Sequence, residues 1–312
     1  MQIILSQISM LGLLAVIGAV ALKTRLLQEE TMNGIVKLIT KLTLPLLIFS
    51  TFAGNNINGE ILKNSSVIII VSMLSIVMFY LFAGMSARIL HLNVENTALH
   101  KASAMFGNVV FLGFPVINAI FPGGEGLIYA TMYQLGQNTL IWTWGVYILN
   151  KGADKTSKEN WKHLINPVTI AFAAGLLFMA MPFRIPEIIL KPISDIGHTT
   201  SYISMIYVGA VLVKANPLRV FVNLRSYLVS VNKLVLTPLI ILLLFKYAGL
   251  SQLFHVSTTA LGVMVMLSGM PCMILISVLA KDLGLNDRQS VENIFLSTIL
   301  SFGTLSLLFW LL

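Results

Sequence analysis

The chain has 312 residues, of which 57% are hydrophobic and only 10% charged, and its mean hydropathy is +0.88. An average soluble domain carries roughly 25% charged residues, so the composition excludes a soluble globular protein and indicates an all-α integral membrane protein. The net charge of +8 comes from basic residues in short loops, a pattern of topology rather than a nucleic-acid patch, and the lone Cys272 excludes an internal disulfide and any multi-cysteine metal site.

Apolar runs of about 20 residues, long enough to cross hydrocarbon as a helix, recur along the chain. The first, Ile3 to Ala21, has no basic residue ahead of it, and its first charge, Lys23, follows the run. A secretory signal has the opposite order, so this run reads as a retained helix. Nine more spans are predicted at residues 33–53, 64–88, 98–121, 126–149, 166–182, 190–213, 222–248, 257–280 and 290–311. Turn residues separate them at Asn55-Asn56, Pro122-Gly123-Gly124, Lys151-Gly152 and Asn216-Pro217. Loops after odd-numbered spans hold thirteen Lys and Arg, among them Lys151, Lys155, Lys158 and Lys162. Loops after even-numbered spans hold four: Lys63, Arg184, Lys191 and Lys246. The asymmetry puts the odd-numbered loops in the cytoplasm and both termini outside a multi-pass protein of the cell membrane.

Five spans per half make residues 1–150 and 166–312 inverted repeats, joined by a short cytoplasmic loop at 151–165. The repeat rests on spacing and topology. Gly113-Phe114-Pro115 falls in the fourth span and Gly269-Met270-Pro271 in the ninth, while Asn138 and Asn293 mark the fifth and tenth. Proline removes an N–H and clashes with the carbonyl four residues back. The two prolines are therefore expected to interrupt both helices, freeing the carbonyls of Phe111 and Leu267 and exposing the N–H groups of Val116, Ile117, Cys272 and Met273. Each half-helix starting there points a partial positive charge at the break, which suits an anion. Paired discontinuous helices in inverted repeats are the recurrent plan of secondary transporters. A single proline kink, by contrast, is an ordinary bend.

Polar side chains gather in the same spans. Asn108 lies ahead of Pro115; Thr131, Gln134 and Asn138 form one stripe in the fifth span, and Asn293, Ser297 and Ser301 another in the tenth. Two readings stand for them, a polar cavity or hydrogen-bonded glue between helices. All twelve Asp and Glu residues lie in loops or near span ends, so cation exchange on buried carboxylates is not expected and an anionic or neutral substrate is. Asp195 and His198, one turn apart, are the candidates for proton coupling; the alternative is a helix cap and a solvated interface histidine. No nucleotide-binding, hydrolase or metal-ligand motif is present, so neither enzyme activity, a cofactor nor a metal is expected.

At these residues the chain resembles the auxin efflux carrier family, which includes plant auxin exporters and bacterial malate or malonate permeases. The segments "LPLLIFSTFAGNN" (Leu44 to Asn56), "GNVVFLGFP" (Gly107 to Pro115), "SDIG" (Ser194 to Gly197) and "MPCMILISVLAKDLGLN" (Met270 to Asn286) carry the likeness. The resemblance covers nearly the whole chain. It implies a scaffold from spans 1, 2, 6 and 7, a transport domain from spans 3–5 and 8–10, homodimerisation through the scaffold and an elevator-like movement. The chain departs from plant members in its short loop after span 5 and in Ile48, where they have a serine. The function expected is secondary transport of a small organic anion, a carboxylate such as malate, malonate or an auxin-like weak acid. Its binding residues would be Asn108, Gly113, Pro115, Val116, Gln134, Asn138, Gly269, Pro271, Cys272 and Asn293. A transport-inactive receptor that keeps the fold is the alternative.

Overall fold

The computed structural model describes residues 2–54, 59–154, 166–181, 184–213, 217–286 and 288–312. The turn at Asn55-Asn56, residue Asn216 and the loop lysines Lys155, Lys158 and Lys162 lie outside them. The described chain is helical, and its one β-bridge joins Gly107 to Cys272. Helix α1 is Gln2–Lys23, α2 Glu30–Ala53, α3 Gly59–Ile89, α4 Val94–Met105 and α5 Val109–Ile120. Helix α6 comprises Glu125–Leu140, a π-turn at Ile141–Gly145 and Val146–Gly152. Then come α7 Pro167–Ala180, α8 Glu187–Leu212, α9 Leu224–Tyr247, α10 Thr258–Ser268, α11 Leu275–Asp282 and α12 Arg288–Leu311.

Among the described residues, α2, α3, α9 and α12 are each long and apolar enough to cross a membrane as continuous helices. In hydrocarbon the backbone must satisfy its own polar groups, which is why such apolar runs fold as helices. Their ends are closed by local side chains. Asn93 accepts from the Asn96 N–H at the start of α4, Ser257 from the Ala260 N–H at α10, and Asn166 and Thr169 form a capping box ahead of Pro167 in α7. The protein is an integral membrane protein built of helices.

The helices sort by their contacts. In one set, α1 packs on α8, α8 on α2, and α2 on α7. The last pair interlocks through edge-to-face rings, Phe52 with Phe172 at 5.1 Å and Phe49 with Phe178 at 5.7 Å. In the other set, α3 packs on α4 and α6, α6 on α10, and α9 on α12. Helices α1 and α8 approach until backbone meets backbone, because Gly18 faces Ile206 and Gly209 faces Ala15; a Cβ on either glycine would fall inside the partner's carbonyl. Gly209→Val is therefore expected to cost about 1–3 kcal/mol in forced separation. A lowered unfolding temperature in detergent, matched by Gly18→Val and absent from Gly303→Ala, whose site is open, is the check.

Candidate functional site

Two helices stop in mid-course and meet. Helix α4 ends at Met105, and Phe106 to Asn108 leave the helix before α5 begins. Helix α10 ends at Ser268, and the chain through Gly269, Met270, Pro271 and Cys272 leads to α11. The two non-helical stretches run antiparallel. The Asn108 N–H donates to the Pro271 carbonyl at 2.8 Å, and the Met273 N–H donates to the Phe106 carbonyl at 2.9 Å. Each thus satisfies groups that the other's interruption leaves open. Pro271 gives only its carbonyl, the one polar group a proline has.

This corrects the expectation for Pro115. The first interruption lies upstream, at Phe106–Asn108, and Pro115 sits inside the continuous helix α5. A π-turn at Val109–Gly113 ends two residues before it. The same arrangement precedes Pro45 (Ile39–Thr43) and Pro238 (Asn232–Leu236). The wider turn moves the preceding carbonyls off the proline ring and bonds them five residues on, so the missing N–H is not needed. Val116 and Ile117 are therefore buried helix residues, not open donors. Nor are the next pair free, since the Cys272 N–H donates to Ser297 Oγ at 3.0 Å and Met273 to Phe106. The Leu267 carbonyl accepts from the Met270 N–H at 3.3 Å. Pro115→Ala is accordingly expected to match Pro45→Ala and Pro238→Ala in unfolding temperature and ligand affinity, with Pro271→Ala the outlier. A loss at Pro115 as large as that at Pro271 would contradict this.

Gln137 of α6 clamps the first interruption. Its Oε1 accepts from the Gly107 N–H and its Nε2 donates to the Gly107 carbonyl, both at 2.9 Å. The same Nε2 reaches Gln134 Oε1 at 3.2 Å, and Gln134 Nε2 donates to Asn138 Oδ1 at 2.8 Å. Three amides thus run in file away from the crossing. Asn108 caps the π-turn by accepting from the Phe111 N–H at 3.3 Å, while its own Nδ2 is buried without a partner. Lys233 of α9, fully buried, donates to the carbonyls of Ala104 at 3.0 Å and Met105 at 3.4 Å.

A cavity of about 450 Å³ opens beside this crossing. Gln134, Asn138 and Trp142 of α6 line one side, Thr40 and Lys41 of α2 another, and Phe111 stacks at 5.2 Å on Tyr207 of α8. The start of α11, with Ile274 and Leu275, and Val110 in the first turn of α5 also border it. Early N–H groups of a helix have no partner within it, so the cavity meets the beginnings of α5 and α11, the capped start of α7 at Asn166 to Val168, the Gln134 and Asn138 amides and the Lys41 ammonium, among largely apolar walls. That combination is chemically suited to a small anion with an apolar body, with hydrogen-bond donors and charge at one end and dispersion contacts along the rest.

Of the residues expected from sequence, Gln134 and Asn138 line the cavity and Asn108, Pro271 and Cys272 build the crossing. Gly113 and Gly269 are packing positions, where a Cβ would press on Leu267 at 2.9 Å and on Leu308 at 2.6 Å respectively. Asn293 is elsewhere, accepting from Ser226 Oγ at 2.9 Å and Gln289 Nε2 at 3.0 Å between α9 and α12. Asp195 pairs with Lys191 at 3.0 Å on the exposed face of α8, His198 is exposed too, and neither borders the cavity. Gln137, Lys41 and Lys233 were not anticipated. Gln137 follows Gln134 by three residues on the same face, and both lysines stand within apolar spans, where a charge signals function.

Residues 3–311 match the membrane transport protein family. The chain is similar to an uncharacterized transporter of Methanocaldococcus jannaschii, 24% identical over 292 residues, 92% of each chain. It is also similar to an uncharacterized transporter of Methanothermobacter thermautotrophicus, 26% identical over 300 residues, 94% of this chain and 93% of the relative.

Proposed function

Because the chain belongs to the membrane transport protein family, the auxin efflux carrier family of the sequence reading, we propose that it is a secondary transporter of a small organic carboxylate. It is a multi-pass membrane protein of a transporter family, not of an enzyme family. The observation that carries the substrate class is the cavity in which Lys41, the Gln134–Asn138 amides and the openings of α5 and α11 converge. The bound carboxylate accepts from the N–H groups of Val110, Ile274 and Leu275 and from the amides, while its organic body lies against Phe111 and Tyr207.

The remaining architecture belongs to the same proposal. Ten spans form two inverted repeats of five, and the interrupted fourth and ninth spans cross at the site. Helices α1, α2, α7 and α8 are the scaffold, through which two copies pair, and the remaining helices carry the substrate across as an elevator. The cavity's place between the two packing sets supports this division: α2 and α8 contribute one wall, α5, α6 and α11 the other.

Thermal unfolding against a panel of mono- and dicarboxylates, with amines and sugars as controls, tests the substrate class. A saturable rise confined to carboxylates is expected; stabilisation by amines alone would overturn it. Orientation is tested separately. A cysteine replacing Asp154 should escape an impermeant thiol reagent added to intact cells, and one replacing Gly124 should react. The native Cys272 is buried and leaves the background clear. The reverse labelling would overturn the assignment of both termini to the outside.

A further inference from the structure

Lys233 is the charge that the proposed mechanism leaves unused. It sits in the π-turn Asn232–Leu236 of α9 and is 1% exposed. No carboxylate pairs with it among the described residues. Its ammonium is enclosed instead by the Ala104 and Met105 carbonyls and by the face of Phe79, whose ring centre is 3.8 Å away. Gly107 lies beside it, where a Cβ would come within 3.5 Å of Nζ, and the buried Cys272 is a further neighbour of its charge.

This is the ligand set of a small cation. The last carbonyls of a helix lack partners and carry the negative end of its dipole, and an aromatic face attracts positive charge. In transporters with broken helices, such half-helix ends hold a monovalent coupling ion. Here the ion-sized space is filled by an ammonium tethered to another helix.

We propose that Lys233 is a built-in cation, occupying the place at the crossing where a free monovalent cation would bind. The end of α4 is then held, and the strand Phe106–Asn108 aligned with Pro271–Met273, without sodium. The charge sits beneath Gly107, the residue that Gln137 grips, so it also supports the anion cavity. That last consequence rests on the function proposed above; the cation site does not.

The test needs no substrate. Wild type, Lys233→Ala and Lys233→Gln are unfolded thermally in detergent at fixed pH, in choline, sodium or methylammonium chloride of equal ionic strength. Wild type should unfold at one temperature in all three salts. Lys233→Ala should unfold several degrees lower in choline and recover, saturably, in methylammonium or sodium but not with neutral acetamide. Lys233→Gln, whose amide fills the space, should be lowered without recovery in any salt. If Lys233→Ala does not survive extraction in choline, extraction in methylammonium should yield monodisperse protein. Sodium stabilisation of the wild type, a Lys233→Ala that responds to no cation, or aggregation in every salt would overturn the proposal. A failure of carboxylate transport would leave these outcomes unchanged.

Discussion

Gln137→Leu should destabilise the protein by about 1–3 kcal/mol, a large effect for one buried side chain. Leucine is nearly isosteric and better suited to lipid, so neither cavity nor hydrophobicity explains the loss. The cause is Gly107. Its N–H ends on the Gln137 amide and becomes a buried orphan costing about 1–3 kcal/mol, while its carbonyl loses one of two donors and keeps the Val109 N–H at 2.9 Å. The interruption of α4 denies Gly107 the helical partners it would otherwise have. Gln137→Glu separates hydrogen bonding from charge: its carboxylate still accepts from the Gly107 N–H but sets negative charge against the carbonyl. It should fall between wild type and Gln137→Leu when unfolded thermally in detergent. A loss below about 1 kcal/mol for Gln137→Leu would mean that water or another group takes over the clamp.

The second large effect concerns affinity rather than folding. Gln134→Leu and Asn138→Leu should each weaken carboxylate binding by about 1–3 kcal/mol, roughly a 5- to 150-fold change. The two amides bond each other at 2.8 Å, so the double variant should lose less than the sum. Asn293→Leu is the control, since it lies between α9 and α12 with Ser226 and Gln289 as its partners. It should lower the unfolding temperature and leave affinity alone. Affinity unchanged in both cavity variants, or lost only in Asn293→Leu, would move the site away from the cavity.

The helices were legible because apolar runs in hydrocarbon have one way to satisfy their backbone. The second interruption was legible too, since Pro271 stands in it. The first was not. A proline that breaks a helix and one that a π-turn accommodates are the same letter, and Pro115 is of the second kind. What opens the chain at Phe106–Asn108 is pairing with Pro271–Met273, far away in sequence, together with the Gln137 clamp. Such tertiary causes leave no local periodicity.

The matching Asn138 and Asn293 misled for a related reason. Their spacing in the sequence reads as a match, yet α12 reaches the interruption after α10 through Ser297, which accepts from the Cys272 N–H, as Gln137 of α6 does for Gly107. Lys41 and Lys233 stand inside helices rather than in loops, so a count of loop charges does not include them. Rarity in an apolar run was the signal they carried.

The crossing is proposed both to bind a carboxylate and to carry it across the bilayer. The direct measurement is uptake by proteoliposomes of the radiolabelled carboxylate giving the largest thermal shift, with unlabelled carboxylate loaded inside to drive exchange. Saturable uptake, competed by excess unlabelled compound and abolished in the Gln134→Leu/Asn138→Leu double variant, is the predicted result. Saturable binding with no uptake, whatever gradient is imposed, would contradict the account and leave a receptor that keeps a transporter's fold.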